Sequence, residues 1–359
     1  MRVLVVNGPN LDLLGTREPE VYGSTTLAEL EAGLTEWGSS SGIEVECEQS
    51  NDETRIIDLI QGFDGDGIVL NPAAFSHTSR AIADAIGSVA TPVVEVHISN
   101  IRSREPWRRH SVVSETAVRT IYGRGLEGYR AAIRHLANRL AMEFETVRYG
   151  PHEDNVGDLR HGGGDLVVLV HGGLWLQEHE RDGTESLAVD MAERGYDSWN
   201  LEYRRLGSGG GWPASGHDVL TALDSIARFE TPATRVVLVS HSAGSQLAAW
   251  AAARSRAPIA MHIALAPILD LTATIENGDV GADQARALVE AGAPPMTGLG
   301  ETPTVIVHGD ADKIVPVERS VRLAEQLGLS LHRTACGHFD LIDPASDEWA
   351  WAVARMKMS

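Results

Sequence analysis

The chain has 359 residues, 43% of them hydrophobic and 22% charged, and a formal net charge of −20. That length exceeds one ordinary domain and predicts two, each large enough for its own core. The acidic balance repels phosphate backbones and anionic membranes, so no nucleic-acid partner is expected, and an anionic substrate has to meet a local cluster of arginines. No run approaches the roughly 18 apolar residues of a membrane span, so no membrane partner is expected either. Met1 and Arg2 lead straight into a short strand that breaks at Asn7, too short for a signal-peptide core, so the expected location is cytoplasmic. The two cysteines, Cys47 and Cys336, lie far apart and offer neither a metal spacing nor a disulfide framework. No metal is expected.

In chain order, VLVV (3–6) reads as a strand and is followed by NGPNLDLLGTREPEVYG (7–23). A connection of that length inside a compact domain is uncommon, and is usually either a working loop or disordered. Its two Asn, three Gly, two Pro, one Arg and one Tyr are residues that shape and furnish a site. A helix follows, opened by a capping box from Thr26 to Glu29 and carrying Leu27, Leu30, Leu34 and Trp37 on its apolar side. IEVEC (43–47), GIVLN (67–71) and PVVEVHIS (92–99) read as further strands, with helices near 52–62, 78–87 and 126–142. The alternation predicts a small doubly wound α/β domain over residues 1–142.

Two later loops, within NPAAFSHTS (71–79) and EVHISNIRSREPWRRH (95–110), also follow strands. In an open parallel sheet the carboxyl ends of the strands form the binding crevice, so the polar groups of these loops should converge. The converging set is Asn10, Arg17, Tyr22, Asn71, His77, His97, Ser99, Arg108 and Arg109. The three stretches, together with GRGLEGY (123–129), resemble type II 3-dehydroquinate dehydratase over essentially all of residues 1–142.

The resemblance implies a flavodoxin-like fold and a cofactor-free conversion of 3-dehydroquinate to 3-dehydroshikimate, by loss of a proton next to the ketone, an enolate, and expulsion of a hydroxyl as water. By position it implies that Tyr22 is the base, His97 the acid toward the leaving hydroxyl, and Asn10 the group that orients the water steadying the enolate. Arg17 and Arg109 keep the tyrosine reactive on this reading. A free phenol with a pKa of about 10 is only about 0.1% ionised at pH 7, and one adjacent cation typically lowers such a pKa by about 1 to 3. Two arginines therefore close most of that gap. Arg108, Asn71, His77, Ser99 and the amide of Ile98 are implied to bind the carboxylate and hydroxyls. Asp84 matches a position that reaches into a neighbouring subunit's site, which implies a homo-oligomer of trimers grouped into dodecamers. The opening loop would then be a substrate lid carrying the base and its arginine. Ala74 and Ser76 stand where the family has Gly and Thr, which leaves the named polar residues intact.

From residue 143 the pattern starts again, with FETVRYG (144–150) and NVGDLRH (155–161) as an antiparallel lead-in to the buried strand DLVVLV (165–170). NLEYR, VVLVS, HIALA and TVIVHGD follow as strands, spaced by helix-period segments at 184–194, 215–229 and 243–254. This predicts a second, larger α/β domain over 143–359. RVVLV (235–239) runs into SHSAG (240–244) and then a helix, the strand–turn–helix setting of a nucleophile elbow with Ser242 at its tip. VLVHGGLW (168–175) places His171, Gly172 and Gly173 where backbone N–H groups can form an oxyanion hole. HGDADKIVP (308–316) and GHFDLIDP (337–344) come later, giving the chain order Ser, Asp, His. The half resembles small α/β-hydrolases of the carboxylesterase and kynurenine formamidase-like type. That implies a triad of Ser242, Asp312 and His338, Asp312 being preferred over Asp310 because the family sets its acid just before the VP turn, with the amides of Gly173 and Ala243 holding the oxyanion.

Ser240 departs from the pattern by replacing the first glycine of the elbow. It is expected to point into the packing, and Ser240→Gly to preserve or raise activity by relaxing the turn. Trp175 and Trp212 read either as acyl-pocket walls or as core aromatics, and LGSGGGWPASG (206–216) lacks a P-loop lysine, so no nucleotide is expected. The chain as a whole reads as a bifunctional enzyme with two small-molecule substrates, 3-dehydroquinate and a small ester or amide such as an acyl quinate. The alternatives are an N-formylkynurenine-type amide as the second substrate, or a hydrolase fold that has lost catalysis and serves assembly.

Overall fold

A computed structural model describes all residues except 17–23, 102–103, 230–232, 297–298 and 358–359. The chain forms two compact units, Met1–Ala141 and Met142–Ser359.

In the first unit, strands β1 (Arg2–Asn7), β2 (Glu44–Gln49), β3 (Gly67–Asn71), β4 (Val93–His97) and β5 (Arg119–Tyr122) alternate with helices α1 (Leu27–Ser40), α2 (Glu53–Gly62) and α3 (Arg80–Gly87), and α4 (Glu127–Ala141) closes it. The sheet is wholly parallel in the order β2-β1-β3-β4-β5. Strands covered on both faces lose the alternation of polar and apolar residues, and β3 and β4 are buried throughout. Alternate residues of β1 feed opposite faces, Val3 and Val5 packing with Leu34 and Tyr129, Leu4 and Val6 with Ile56 and Ile82. The Thr26 capping box is formed in both directions, and Asp52 and Ser79 cap α2 and α3. The chain leaves the sheet in opposite directions on either side of β1, so the loops after β1 and β3 splay apart and open a crevice.

The second unit contains β6 (Glu145–Arg148), β7 (Val156–Arg160), β8 (Leu166–Val170), β9 (Asp197–Leu201), β10 (Val236–His241), β11 (Ile259–Leu265), β12 (Thr304–Gly309) and β13 (Ser330–Thr334). Their order is β13-β12-β11-β10-β8-β9-β7-β6; β7 pairs antiparallel with β6 and β9, and the other pairs are parallel. Helices α5 (Glu185–Glu193), α6 (Ala214–Ser225), α7 (Gly244–Ala252), α8 (Leu271–Glu276), α9 (Ala282–Glu290), α10 (Val317–Leu327) and α11 (Asp347–Met356) pack around it. β8 and β10, at its centre, are buried at every position. This is the mixed, mostly parallel sheet of an α/β-hydrolase, preceded in the chain by a flavodoxin-like sheet.

Candidate active sites

In the first unit the crevice becomes a cavity of about 140 Å³ lined from three loops: Pro9, Asn10, Leu11 and Leu14 after β1; Asn71, Ala73, Ala74 and His77 after β3; His97, Ile98, Ser99, Ile101, Arg104, Trp107 and Arg108 from the end of β4 onward. Backbone form brings these groups in. Asn10 and Ala73 take left-handed φ values of 67° and 47°, a conformation uncommon outside glycine that clusters at working sites. Gly8 passes so close to the next loop that a Cβ would lie 2.8 Å from the Asn71 carbonyl oxygen.

Each polar side chain is held by a partner behind it. The Asn71 amide donates to the Tyr129 hydroxyl at 2.8 Å, which in turn donates to Asn7 Oδ1 at 2.7 Å. Burial pushes the Tyr129 phenol well above its usual range, so it acts as a relay and not as a base. His97 Nε2 lies 2.8 Å from Glu95 Oε1. A carboxylate only accepts, so Nε2 carries the proton and Nδ1 is the nitrogen left for chemistry. Glu95, fully buried, also accepts from Ser111 Oγ at 2.6 Å and Thr120 Oγ1 at 3.2 Å. His77 Nδ1 donates to the His110 carbonyl at 2.9 Å, which leaves Nε2 as an acceptor.

Asn10, Asn71, His77, His97, Ile98, Ser99 and Arg108 are thus gathered around one cavity. Arg17 and Tyr22 lie outside the described residues. Asp84 is exposed on α3 and does not line the cavity of its own chain. Arg109 is also exposed, and its Nε donates to the Arg104 carbonyl at 2.9 Å; the cavity-lining arginine beside Ser99 is Arg104, at 3.4 Å from Ser99 Oγ. The run RSREPWRR offers four arginines to a reading of the sequence, and spacing alone does not say which of them turn inward. Glu95 carries no signal of its own in the sequence because it sits inside a strand that reads as apolar.

The second unit builds its site on the turn from β10 to α7. Ser242 has φ 51° and is 2% exposed, the strained setting expected of a serine raised at an elbow. The His338 Nδ1 donates to Asp312 Oδ2 at 2.6 Å, whose other oxygen accepts the amides of Ile314 at 2.8 Å and Val315 at 2.9 Å. Burial opposes the Asp312 charge, but donation from His308 and His338 outweighs it and holds the carboxyl well below the usual carboxylate range. His308 Nε2 is 3.2 Å from Oδ2. Asp310 instead pairs with Arg333 at the surface, at 2.8 Å. Ser242 and His338 make no hydrogen bond to one another among the described residues, and such bonds are commonly loose before substrate arrives.

Gly172 lies against the elbow, a Cβ there falling 2.9 Å from Ser242 Cβ and from the His241 carbonyl oxygen, and Gly173 holds φ 104°. Among the described residues no hydrogen bond engages the amides of Gly173 or Ala243. Gly244 is pressed against the carbonyl of His171. His171 takes no part as donor to substrate: its ring is tied to Glu202 at 3.0 Å and stacked on Tyr203 at 4.3 Å. Next to Ser242, burial and the nearby His338 push His241 down to about 3, so its neutral ring donates from Nε2 to the His338 carbonyl at 3.1 Å.

Ser240 points into the packing as expected, but it is not idle there. Its Oγ is hydrogen-bonded with His262 Nε2 at 2.7 Å and lies 2.9 Å from Ser245 Oγ. Removing it leaves the buried His262 without that partner, which reverses the expectation for Ser240→Gly. Trp175 is fully buried in the core, and Trp212, half-buried, packs against that core and edge-on to Trp250 at 4.9 Å.

A doubly wound unit with a cationic crevice and a hydrolase unit with a Ser–His–Asp set together define a chain with two enzyme-type sites. Residues 1–137 match the family model described as Dehydroquinase class II, 160–265 the model BD-FAE, and 217–357 the model Serine hydrolase. Catabolic 3-dehydroquinase 1 of Aspergillus terreus is 53% identical over 137 residues, 38% of this chain and 90% of that protein. 3-Dehydroquinate dehydratase 1 of Ralstonia nicotianae is 49% identical over 140 residues, 38% of this chain and 90% of its own. Through residues 1–137 the chain belongs to the class II dehydroquinase family. Esterase B from Lactobacillus rhamnosis shares a fold with 64% of this chain and 90% of its own, with a TM-score of 0.52 at 16% identity, and esterase LipW from Mycobacterium marinum with 63% and 83%, a TM-score of 0.51 at 20% identity.

Proposed function

We propose that the first unit dehydrates 3-dehydroquinate to 3-dehydroshikimate and that the second cleaves a small ester or amide through an acyl-enzyme. For the dehydration, ionised Tyr22 removes the proton beside the ketone and the electron pair passes to the carbonyl oxygen as an enolate. Collapse of the enolate expels the ring hydroxyl, which takes a proton from His97 and leaves as water. The observation that carries this reading is the set His97–Glu95: with Nε2 tied to a buried carboxylate at 2.8 Å, a protonated His97 presents Nδ1–H to the cavity. Arg104 and Arg108 supply positive charge for an anionic substrate in a chain of net charge −20. Arg17 and Arg104 would lower the Tyr22 phenol, in place of the Arg17 and Arg109 pair that the resemblance implies. Tyr22→Phe and Arg17→Gln should each abolish formation of the ultraviolet-absorbing enone from dehydroquinate while ester hydrolysis survives. Near-normal turnover by Tyr22→Phe would mean that another group is the base.

In the second unit Ser242 Oγ attacks the acyl carbon as His338 takes its proton. The amides of Gly173 and Ala243 receive the negative oxygen, and His338 returns the proton to the leaving group. Water then repeats the steps to release the acid. Losing one oxyanion donor typically costs about 3 kcal/mol, which accounts for the weight placed on Gly172 and Gly173. Ser242→Ala should eliminate labelling by a fluorophosphonate and hydrolysis of short acyl esters, leaving dehydration untouched. A triad without its nucleophile keeps only about 10³ to 10⁴ over water. Wild-type protein inert to both reagents would sink the hydrolase reading.

A further inference from the structure

His308 opens the HGDADKIVP stretch, and neither the triad nor the oxyanion hole uses it. It is completely buried on β12. Its Nε2 stands 2.9 Å from the Val315 carbonyl and 3.2 Å from Asp312 Oδ2, and its Nδ1 is 2.7 Å from Ser320 Oγ. A carbonyl oxygen only accepts, so the proton is on Nε2; Nδ1 is then an acceptor, and the Ser320 hydroxyl donates to it. The tautomer is therefore set from α10, and the ring turns one N–H toward both the acid loop and the carboxylate. Asp312 accepts three hydrogen bonds, two amides on one oxygen and His338 on the other, and the His308 N–H stands 3.2 Å from that second oxygen.

We propose that His308 is a positioning residue for the triad, a second donor to Asp312 that fixes the carboxylate against His338 and restrains its pull on the His338 proton. The inference rests on the hydrolase reading above. With three hydrogen bonds and the His308 N–H beside it, the negative charge of Asp312 is shared, so His338 feels a weaker counter-ion than an unbraced aspartate would provide. Among the described residues the charged or titratable groups around His338 are Asp312, His308, His241 and Cys336, with Asp340 in its own loop accepting the Gly337 amide. Arg333, the neighbour of His308 in β13, is turned to Asp310. No other donor replaces His308 on Oδ2 among the described residues.

The test uses the full chain and the pH profile of kcat/KM for a p-nitrophenyl ester. His308→Phe fills the space without a donor; it should lower kcat roughly tenfold or more with KM little changed. Its acid limb should move up by about half a pH unit or more, because a carboxylate stripped of one donor stabilises protonated His338 more strongly. His308→Gln, which keeps an N–H, should restore part of both. Ser320→Ala, which leaves the ring in place and frees its tautomer, should give a smaller shift in the same direction, and guards against a His308→Phe protein that fails to fold. A fall in kcat with the acid limb unmoved in all three variants means that His308 only fills space, and overturns the proposal. An active wild type separates that result from failure of the hydrolase reading itself, which shows as a wild type that neither reacts with the phosphonate nor cleaves the ester, and takes the proposal with it.

Discussion

Ser240 stands two residues before Ser242, near the end of β10, with its side chain buried. A serine in place of an elbow glycine looks like erosion of a site, yet its hydroxyl ties the end of β10 to His262 on β11 and to Ser245 in the first turn of α7. Ser245 also gives its amide to the Ser242 carbonyl at 3.1 Å. Ser240→Gly removes the hydroxyl and orphans a buried ring nitrogen, a cost of about 1 to 3 kcal/mol, and adds backbone freedom at the strand end. The expected outcome is slower ester hydrolysis and a lower urea midpoint for the second unit; a variant as active and as stable as wild type would show the bonds to be incidental.

Secondary-structure elements show what could be read in advance and why the rest could not. The capping box at Thr26, the buried strands VLVV and GIVLN and the strand–turn–helix around Ser242 are local patterns, and they stand where spacing put them. β5 and β13 escaped because RTIY is four residues long and SLHRT is a partly exposed edge strand with polar residues, so neither carries a strong period. The placement of Arg104 rather than Arg109 at the cavity depends on how a loop folds back over a strand end, which no local period records; Glu95 shares a strand face with His97 but sits in a run that reads as apolar. The approach of α7 to the end of β8 is of the same kind. Gly244 lies where any Cβ would strike the His171 carbonyl, so Gly244→Ala must push the helix from the strand and displace both oxyanion loops. It should cost about 1 to 3 kcal/mol and abolish phosphonate labelling with dehydration intact. Retained labelling would mean that the close approach is not needed for reactivity.

For the whole molecule, acid should act unequally on the two units. Burial lowers His262 to about 4 and His241 to about 3, whereas an unfolded histidine titrates near 6.5. Between those values the unfolded chain binds protons that the folded chain refuses, so stability falls as pH drops from about 6.5 toward 4, by an amount on the order of 3 kcal/mol for each ring. Both lie in the second unit. Calorimetry across pH should show its transition retreating in acid, less steeply in His262→Gln; equal slopes in the two proteins would remove His262 as the cause. Among the described residues each hydrophobic core cluster draws on one unit alone. A substitution that loosens one core therefore leaves the packing of the other core as it was, and the two cores stand before natural selection as separate heritable traits within one reading frame. Disuse of the second half would let substitutions accumulate there without harm to the first.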